Sequence, residues 1–226
     1  MQTHKFKWKL FDIEYSSVKI WELEGEIRVD SEYYDVEYIK IHTNILTKNN
    51  DLFFNNVVDF VSWKNLLQSE KWIPFLRTQN VRPILIDENW LSYTEETNIK
   101  LLENWDLIFV RVWMWVWDSS VIFWKMIWWT FSDNVLRLKL KNINPFYSSV
   151  FFNTKLWQVY FSHIIKWTAR PLISKENFKN LLIPIPSRLF QEKIQELVIE
   201  SYKQKELSET LYKEAENILL KELNLL

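Results

Sequence analysis

Between Ile73 and Pro83 the chain reads IPFLRTQNVRP, an apolar run followed by Arg77, Gln79, Asn80 and Arg82 and closed by a proline. The apolar run predicts a strand over Ile73–Thr78, which puts the four polar residues on a strand end or loop. Arginine can grip guanine with two hydrogen bonds, and glutamine or asparagine can do the same to adenine. These residue types suit the reading of base edges. A polar turn before a proline uses the same residues without any ligand, and it is the commoner arrangement.

Enzymatic chemistry finds less support. Asn144-Pro145-Phe146-Tyr147 resembles the Asn-Pro-Pro-Tyr/Phe loop of adenine methyltransferases, but Phe146 replaces the second proline. No glycine-rich strand-to-helix motif for a methyl donor precedes it, and a proline at a helix start explains the segment. No Glu-x-Lys or Asp-x-Lys occurs that would hold a metal beside a catalytic lysine. His4, His42 and His163 are scattered, and cysteine is absent, so neither a metal site, a nucleophile–base pair nor a disulfide framework is expected. The expectation is a protein with no catalytic residues, no metal and no cofactor.

The elements that would carry the polar loop centre on residues 105–140. Leu107–Val112 and Ser119–Phe123 are β-branched or apolar runs, and Asn134–Leu140 alternates, so three strands are predicted. Tight connections between strands call for glycine. Here the connections hold Trp113, Trp115, Trp117, Trp124, Trp128 and Trp129 instead. The whole chain has one glycine, Gly25, and fourteen tryptophans, where glycine ordinarily makes up roughly 7% of residues. One codon, UGA, is read as tryptophan in some bacterial codes and as glycine in others. Most of these tryptophans therefore read as positions where the source organism has glycine. The alternative is a Trp-rich surface for carbohydrate or a membrane interface.

Other features bound the answer. The 226 residues suit one mixed domain with an appendage. The net charge of −1 argues against a uniformly basic nucleic-acid binder. The balance is uneven, however: residues 1–60 hold seven basic against eleven acidic side chains, residues 111–141 five against two, and residues 151–186 five against one. Leu107–Phe131, the most apolar window, carries Arg111, Asp118 and Lys125, so no membrane span is expected. The charged start and the absence of cysteine suit a cytoplasmic protein.

In chain order, residues 1–30 predict one or two short strands with a turn near Glu24–Glu26, and Asp30 or Ser31 caps a helix through Ile41. Phe53–Val61 reads as a strand, Trp63–Trp72 as a loop, Ile84–Ile86 as a short strand and Thr94–Leu102 as a short helix. Asn104-Trp105-Asp106 is a turn if position 105 is glycine. Pro145–Ile165 has helical spacing, Ser174–Asn180 is a second helix, and Leu181–Ile185 is a strand. Ser187–Leu226 lacks glycine and proline and repeats apolar residues at three- and four-residue spacing, from Phe190 through Tyr202 to Leu219. Such a helix is roughly 60 Å long at 1.5 Å per residue. Its stripe is too long to be covered by the domain it leaves.

With glycine restored, IPFLRTQNVRPILID, GDLIFVRVGMGVGDSSVIF, SDNVLRLKLKNINPFY, KGTARPLISKENFKNLLIPIPS and FQEKIQELV follow one another over residues 53–226. That order resembles type I restriction-modification specificity subunits, with one target-recognition domain and one spacer helix where a full subunit has two of each. The resemblance implies a mixed α/β (α+β) fold: a mostly antiparallel sheet with flanking helices, followed by a coiled-coil-like C-terminal helix. It divides the chain into a lead-in at 1–50, a recognition domain at 51–186 and a spacer at 187–226. It further implies binding to half of a bipartite DNA site and docking to a methyltransferase (modification) subunit and a restriction/translocase subunit, with homodimerisation through the terminal helix. By position in the matching segments, Arg77, Gln79, Asn80, Arg82, Arg111, Lys125, Lys166, Thr168 and Arg170 are the expected DNA contacts, with Arg82, Lys125 and Lys166 on phosphate. A recognition-domain fragment of a fused methyltransferase/endonuclease is the alternative.

Overall fold

The computed structural model describes residues 2–8, 11–17, 40, 43, 50–112, 118–164, 173, 175–179 and 181–223. The fold is mixed α+β. Its first elements, β1 (Gln2–Trp8) and β2 (Phe11–Ser17), form an antiparallel hairpin that pairs Trp8 with Phe11. The two short strands expected in this region are thus present, and the expected turn was at Glu24–Glu26. That segment and most of the expected helix through Ile41 lie outside the described residues.

The centre is a four-stranded antiparallel sheet built from β4 (Val57–Ser62), β7 (Leu107–Val110), β8 (Ser119–Val121) and β10 (Val135–Leu140), in the order β4-β10-β7-β8. All four residues of β7 are buried, which explains its unbroken apolar sequence: both faces of the strand are covered. A smaller sheet places β5 (Ile73–Leu76) between β6 (Ser92–Thr94), antiparallel, and β9 (Thr130–Phe131), parallel. β3 (Asn50–Leu52) pairs with β11 (Leu182–Pro184). Helices α1 (Pro145–Phe152), α2 (Lys155–Ile164) and α3 (Lys175–Lys179) precede β11, and α4 (Arg188–Glu222) follows it.

The core is aromatic where the sheet meets the helices. Phe109 lies edge-on to Phe152 at 5.3 Å and to Phe178 at 5.6 Å, and Phe53 lies edge-on to Phe152 at 5.0 Å. Offset and edge-to-face rings of this kind add to the gain from burial itself. Arg137, in the middle of β10, is buried yet ionised groups surround it. It donates to Asp59 and to the Leu101 carbonyl (3.1 Å), with Asp106 3.8 Å away. Burial pushes the Asp106 carboxyl above its ordinary range.

Four expectations are corrected. Phe53–Asn56 is a 3-10 turn rather than the start of a strand, because the Asp51 carboxylate gathers the Leu52 amide and the Asn55 and Asn56 side chains. Ile84–Ile86 makes single bridges, Val81 to Ile86 and Ile84 to Ser120, rather than a strand. Thr94–Leu102 is not helical. Thr94 ends β6, the Glu96 carboxylate accepts from the Leu67 amide, and Leu102 exchanges backbone hydrogen bonds with Trp128 and Trp129. These tertiary bonds override a weak local propensity. Pro145–Ile165 is two helices, not one. The Thr154 hydroxyl accepts from the Trp157 amide and restarts the helix, while the Asn153 side-chain nitrogen donates to the carbonyls of Ser119 (2.8 Å) and Ser149 (2.7 Å).

The expected C-terminal helix forms. Ser187 caps it by accepting from the Phe190 amide. At 1.5 Å per residue its 35 residues extend about 53 Å. Among the described residues, no helix is long and apolar enough to cross a membrane.

Candidate nucleic-acid interface

The polar segment after β5 folds back on itself, and Asn80 is the reason. Its side-chain oxygen accepts from the Arg77 amide (3.0 Å), and its side-chain nitrogen donates to the carbonyls of Asp87 (3.0 Å) and Asn89 (3.2 Å). Backbone bonds from Asn80 to Arg77, Arg82 to Leu85 and Asp87 to Asn80 complete the loop. Asn80 is buried and its side-chain amide is spent on this bracing, so it shapes the loop from inside. Arg77 and Gln79 are exposed on its outside, and Gln79 donates to the Trp90 carbonyl at 3.3 Å. Arg82 is half-buried.

The far side of the loop is anchored to the sheet and to α4 by residues that the sequence reading did not assign to the site. Ile84 has φ 68°, an unfavourable left-handed setting for a β-branched residue. It is held there by its amide donating to the Ser119 carbonyl (3.0 Å) and by its carbonyl accepting from the Ser120 hydroxyl (2.6 Å) and the Tyr202 hydroxyl (2.7 Å). The Tyr202 oxygen also accepts from the Ile86 amide at 3.2 Å. Burial pushes the Tyr202 phenol up to about 12, so it remains a neutral donor at any physiological pH. In the sequence Tyr202 is simply one apolar residue of the helical stripe. Nothing local betrays that its hydroxyl reaches a loop 118 residues away.

Lys125 ties a third segment to the same place. It follows the strands in a 3-10 turn, Trp124–Met126, and its ammonium lies 2.7 Å from Glu88 and 3.3 Å from Glu206 of α4. The bond to Glu88, ahead of that to Glu206, raises its pKa. The polar loop, the 3-10 turn and the helix are thus fastened together by one tyrosine and one lysine.

Arg111 lies apart from the polar loop, at the end of a central strand. Arg111 follows β7, is half-buried, and donates to the Asp133 carbonyl at 3.4 Å. Beside it the Val110 amide donates to the Asp118 carbonyl at 2.9 Å. The Asp118 side chain is buried, and burial raises its carboxyl to about 6 against the attraction of Arg82. Lys166, Thr168 and Arg170 lie outside the described residues. The structure therefore gathers Arg77, Gln79 and Arg82 on one loop, buries Asn80 beneath it, and places Arg111 and Lys125 at separate flanks. Among the described residues, no group of three or more histidine or acidic side chains is arranged to hold a metal ion.

No protein-family model and no curated protein sequence matches this chain. Solved structures do. A chain from a study of complex assembly and conformational transition of the type I R-M system superposes with a TM-score of 0.51 at 12% identity, covering 85% of this chain and 50% of that one. The HsdS subunit from Thermoanaerobacter tengcongensis gives 0.49 at 11% identity, over 74% of this chain and 44% of that one. The type-I restriction-modification system S subunit from M. genitalium gives 0.49 at 14% identity, over 78% and 46%. This chain thus spans about half the length of the solved chains it matches. At such identities the likeness is one of fold, and the fold is that of a chain from a type I R-M assembly.

Proposed function

We propose that this chain is a DNA-binding specificity subunit of a type I restriction-modification system: a recognition domain over residues 51–186 mounted on a spacer helix, with 1–50 as a lead-in. The observation that carries the reading is the join between the two parts. A loop exposing Arg77 and Gln79 is bonded through Tyr202 and Lys125 to a helix that then leaves the domain. Base-reading side chains on a braced loop, fixed to a strut, are what measured recognition of a bipartite site requires.

In this reading Arg77 and Gln79 address base edges, Arg82 and Lys166 hold phosphate, and Arg111, Thr168 and Arg170 flank them. Asn80 acts by shaping the loop. Lys125 meets phosphate only to the extent that DNA competes with Glu88 and Glu206. The chain itself performs no chemistry; a methyltransferase subunit supplies it, and a restriction/translocase subunit completes the assembly. Half-sites on one face of DNA repeat at about 34–36 Å. A helix of about 53 Å spans between one and two such turns.

Two recognition domains are needed for a bipartite site. Two copies of this chain paired through α4 would provide them and would favour a palindromic site. A second module within a longer polypeptide is the other arrangement, and the half-length match to the solved chains suits either. A mobility-shift titration with the methyltransferase partner tests the proposal. Binding is expected to depend on sequence and to weaken steeply with salt. Purified chain that methylates or cuts DNA unaided would contradict the non-catalytic assignment.

A further inference from the structure

The described residues contain seven non-glycine positions with φ in the left-handed region, and five of them are tryptophan: Trp72 (100°), Trp90 (60°), Trp105 (70°), Trp124 (56°) and Trp128 (77°). Tryptophan is a small minority of the chain, so its near-monopoly of this region demands a cause. A bulky side chain at positive φ is a steric outlier, because its Cβ crowds the neighbouring carbonyl. Glycine has no such penalty and is the default residue there.

Exposure divides the tryptophans the same way. All five left-handed ones present the indole to solvent, between 46% and 86% exposed. The others whose side chains are described have ordinary φ and pack on the core: Trp157 is fully buried against Phe151 and Phe152, and Trp63 and Trp129 are half-buried against the central cluster. An indole that the fold uses is buried. An indole that stands in solvent on a strained backbone contributes little that the fold needs, even where Trp124 touches Phe123 (4.7 Å) and Trp105 touches Phe146 (6.3 Å).

The strain is not a loose loop's accident. The Trp105 amide donates to the Ile122 carbonyl (2.7 Å) and the Trp128 amide to the Leu102 carbonyl (3.0 Å), so backbone bonds to distant segments hold these turns. The Trp90 carbonyl receives Gln79, and Trp72 leads directly into β5. The turns are obligatory, and the side chains on them are not.

We propose that positions 72, 90, 105, 124 and 128 are glycine in the protein its source cell makes, their codons being read there as glycine and not as tryptophan, whereas Trp157 is a genuine tryptophan. The consequence for the surface is direct. Without the indole at 90, the turn whose carbonyl receives Gln79 is bare backbone beside the Arg77–Asn89 loop, which another macromolecule can approach closely.

Peptide sequencing by mass spectrometry on protein isolated from its source decides the matter. Glycine residue masses are expected at the five positions and a tryptophan residue mass at 157. Tryptophan at the five would overturn the proposal. A second arm uses recombinant chain with tryptophan at all five positions. Each Trp→Gly change at the five positions should raise the Tm by about 2–4 °C, whereas Trp→Ala should not, because alanine keeps the offending Cβ. Five-glycine protein melting no higher than five-alanine protein would also overturn it.

Discussion

Helix α4 is one continuous element with two different surroundings. Over Arg188–Tyr202 its inward residues are met by the domain: Gln191 accepts from the Asn144 amide (2.8 Å) and donates to the Pro186 carbonyl (2.9 Å), and Val198 and Tyr202 are buried. Beyond Tyr202 the apolar spacing continues, but Leu207, Leu211, Tyr212, Ile218, Leu219 and Leu223 are all exposed. The near half buries Val198 and Tyr202 within the chain while Phe190 and Leu197 stay exposed; the far half presents its whole stripe to solvent. A single periodic pattern is therefore anchored to the domain at one end and left open to solvent at the other.

Charge placed on the far half should separate the roles of the two halves. Leu211→Glu with Leu219→Glu is expected to weaken self-association at least ~100-fold, about 2.7 kcal/mol, while the Tm of the dissociated chain stays unchanged. Sedimentation velocity and calorimetry read the two effects separately. A matching loss of Tm would mean that the far stripe is covered by its own domain.

On the near half, Tyr202→Phe keeps the ring and removes the hydroxyl. The Ile86 amide then loses its acceptor and the Ile84 carbonyl one of its donors. A destabilisation of about 1–3 kcal/mol is expected, with faster amide hydrogen exchange at Ile86 and weaker DNA binding. Exchange at Ile86 unchanged from the wild type would show that the tyrosine does not hold the loop.

Asp118 gives a pH test at the strand end. Its folded pKa, about 6, lies above the ordinary 3.8. The folded state therefore favours the protonated acid, and this contribution is complete below 3.8 and lost as pH rises through about 6. Asp118→Asn should flatten the stability profile across that window and raise stability at neutral pH, by on the order of 1–2 kcal/mol. Urea melts at several pH values measure it. The smallest effect belongs to Glu206→Gln. The Lys125 bridge is about half exposed on both sides, so a loss of at most about 1 kcal/mol is expected, shrinking with salt.

Much of this architecture was legible in the residues. β7 showed as an apolar run, β10 as an alternating one, and α4 as a long stripe free of glycine and proline, because each is imposed by burial along its own length. Turns at Trp105, Trp124 and Trp128 were legible through their oddity, whereas Trp90 drew no such reading and Trp129, read the same way, packs against the core at ordinary φ. What escaped were features fixed by distant partners. Leu102 is held by Trp128 and Trp129, Asn153 breaks a helix by reaching Ser119, and Arg137 is satisfied by Asp59 and Leu101. The site followed the same rule: spacing placed Arg77 and Gln79 on a loop, but only the fold shows Asn80 turned inward and Tyr202 beneath it.

The most direct test of a recognition module mounted on a strut is methylome sequencing of the source cell with and without this gene. Methylation is expected to disappear at one bipartite motif and to persist everywhere else. Unaltered methylation at every motif, with the partner methyltransferase present, would contradict it.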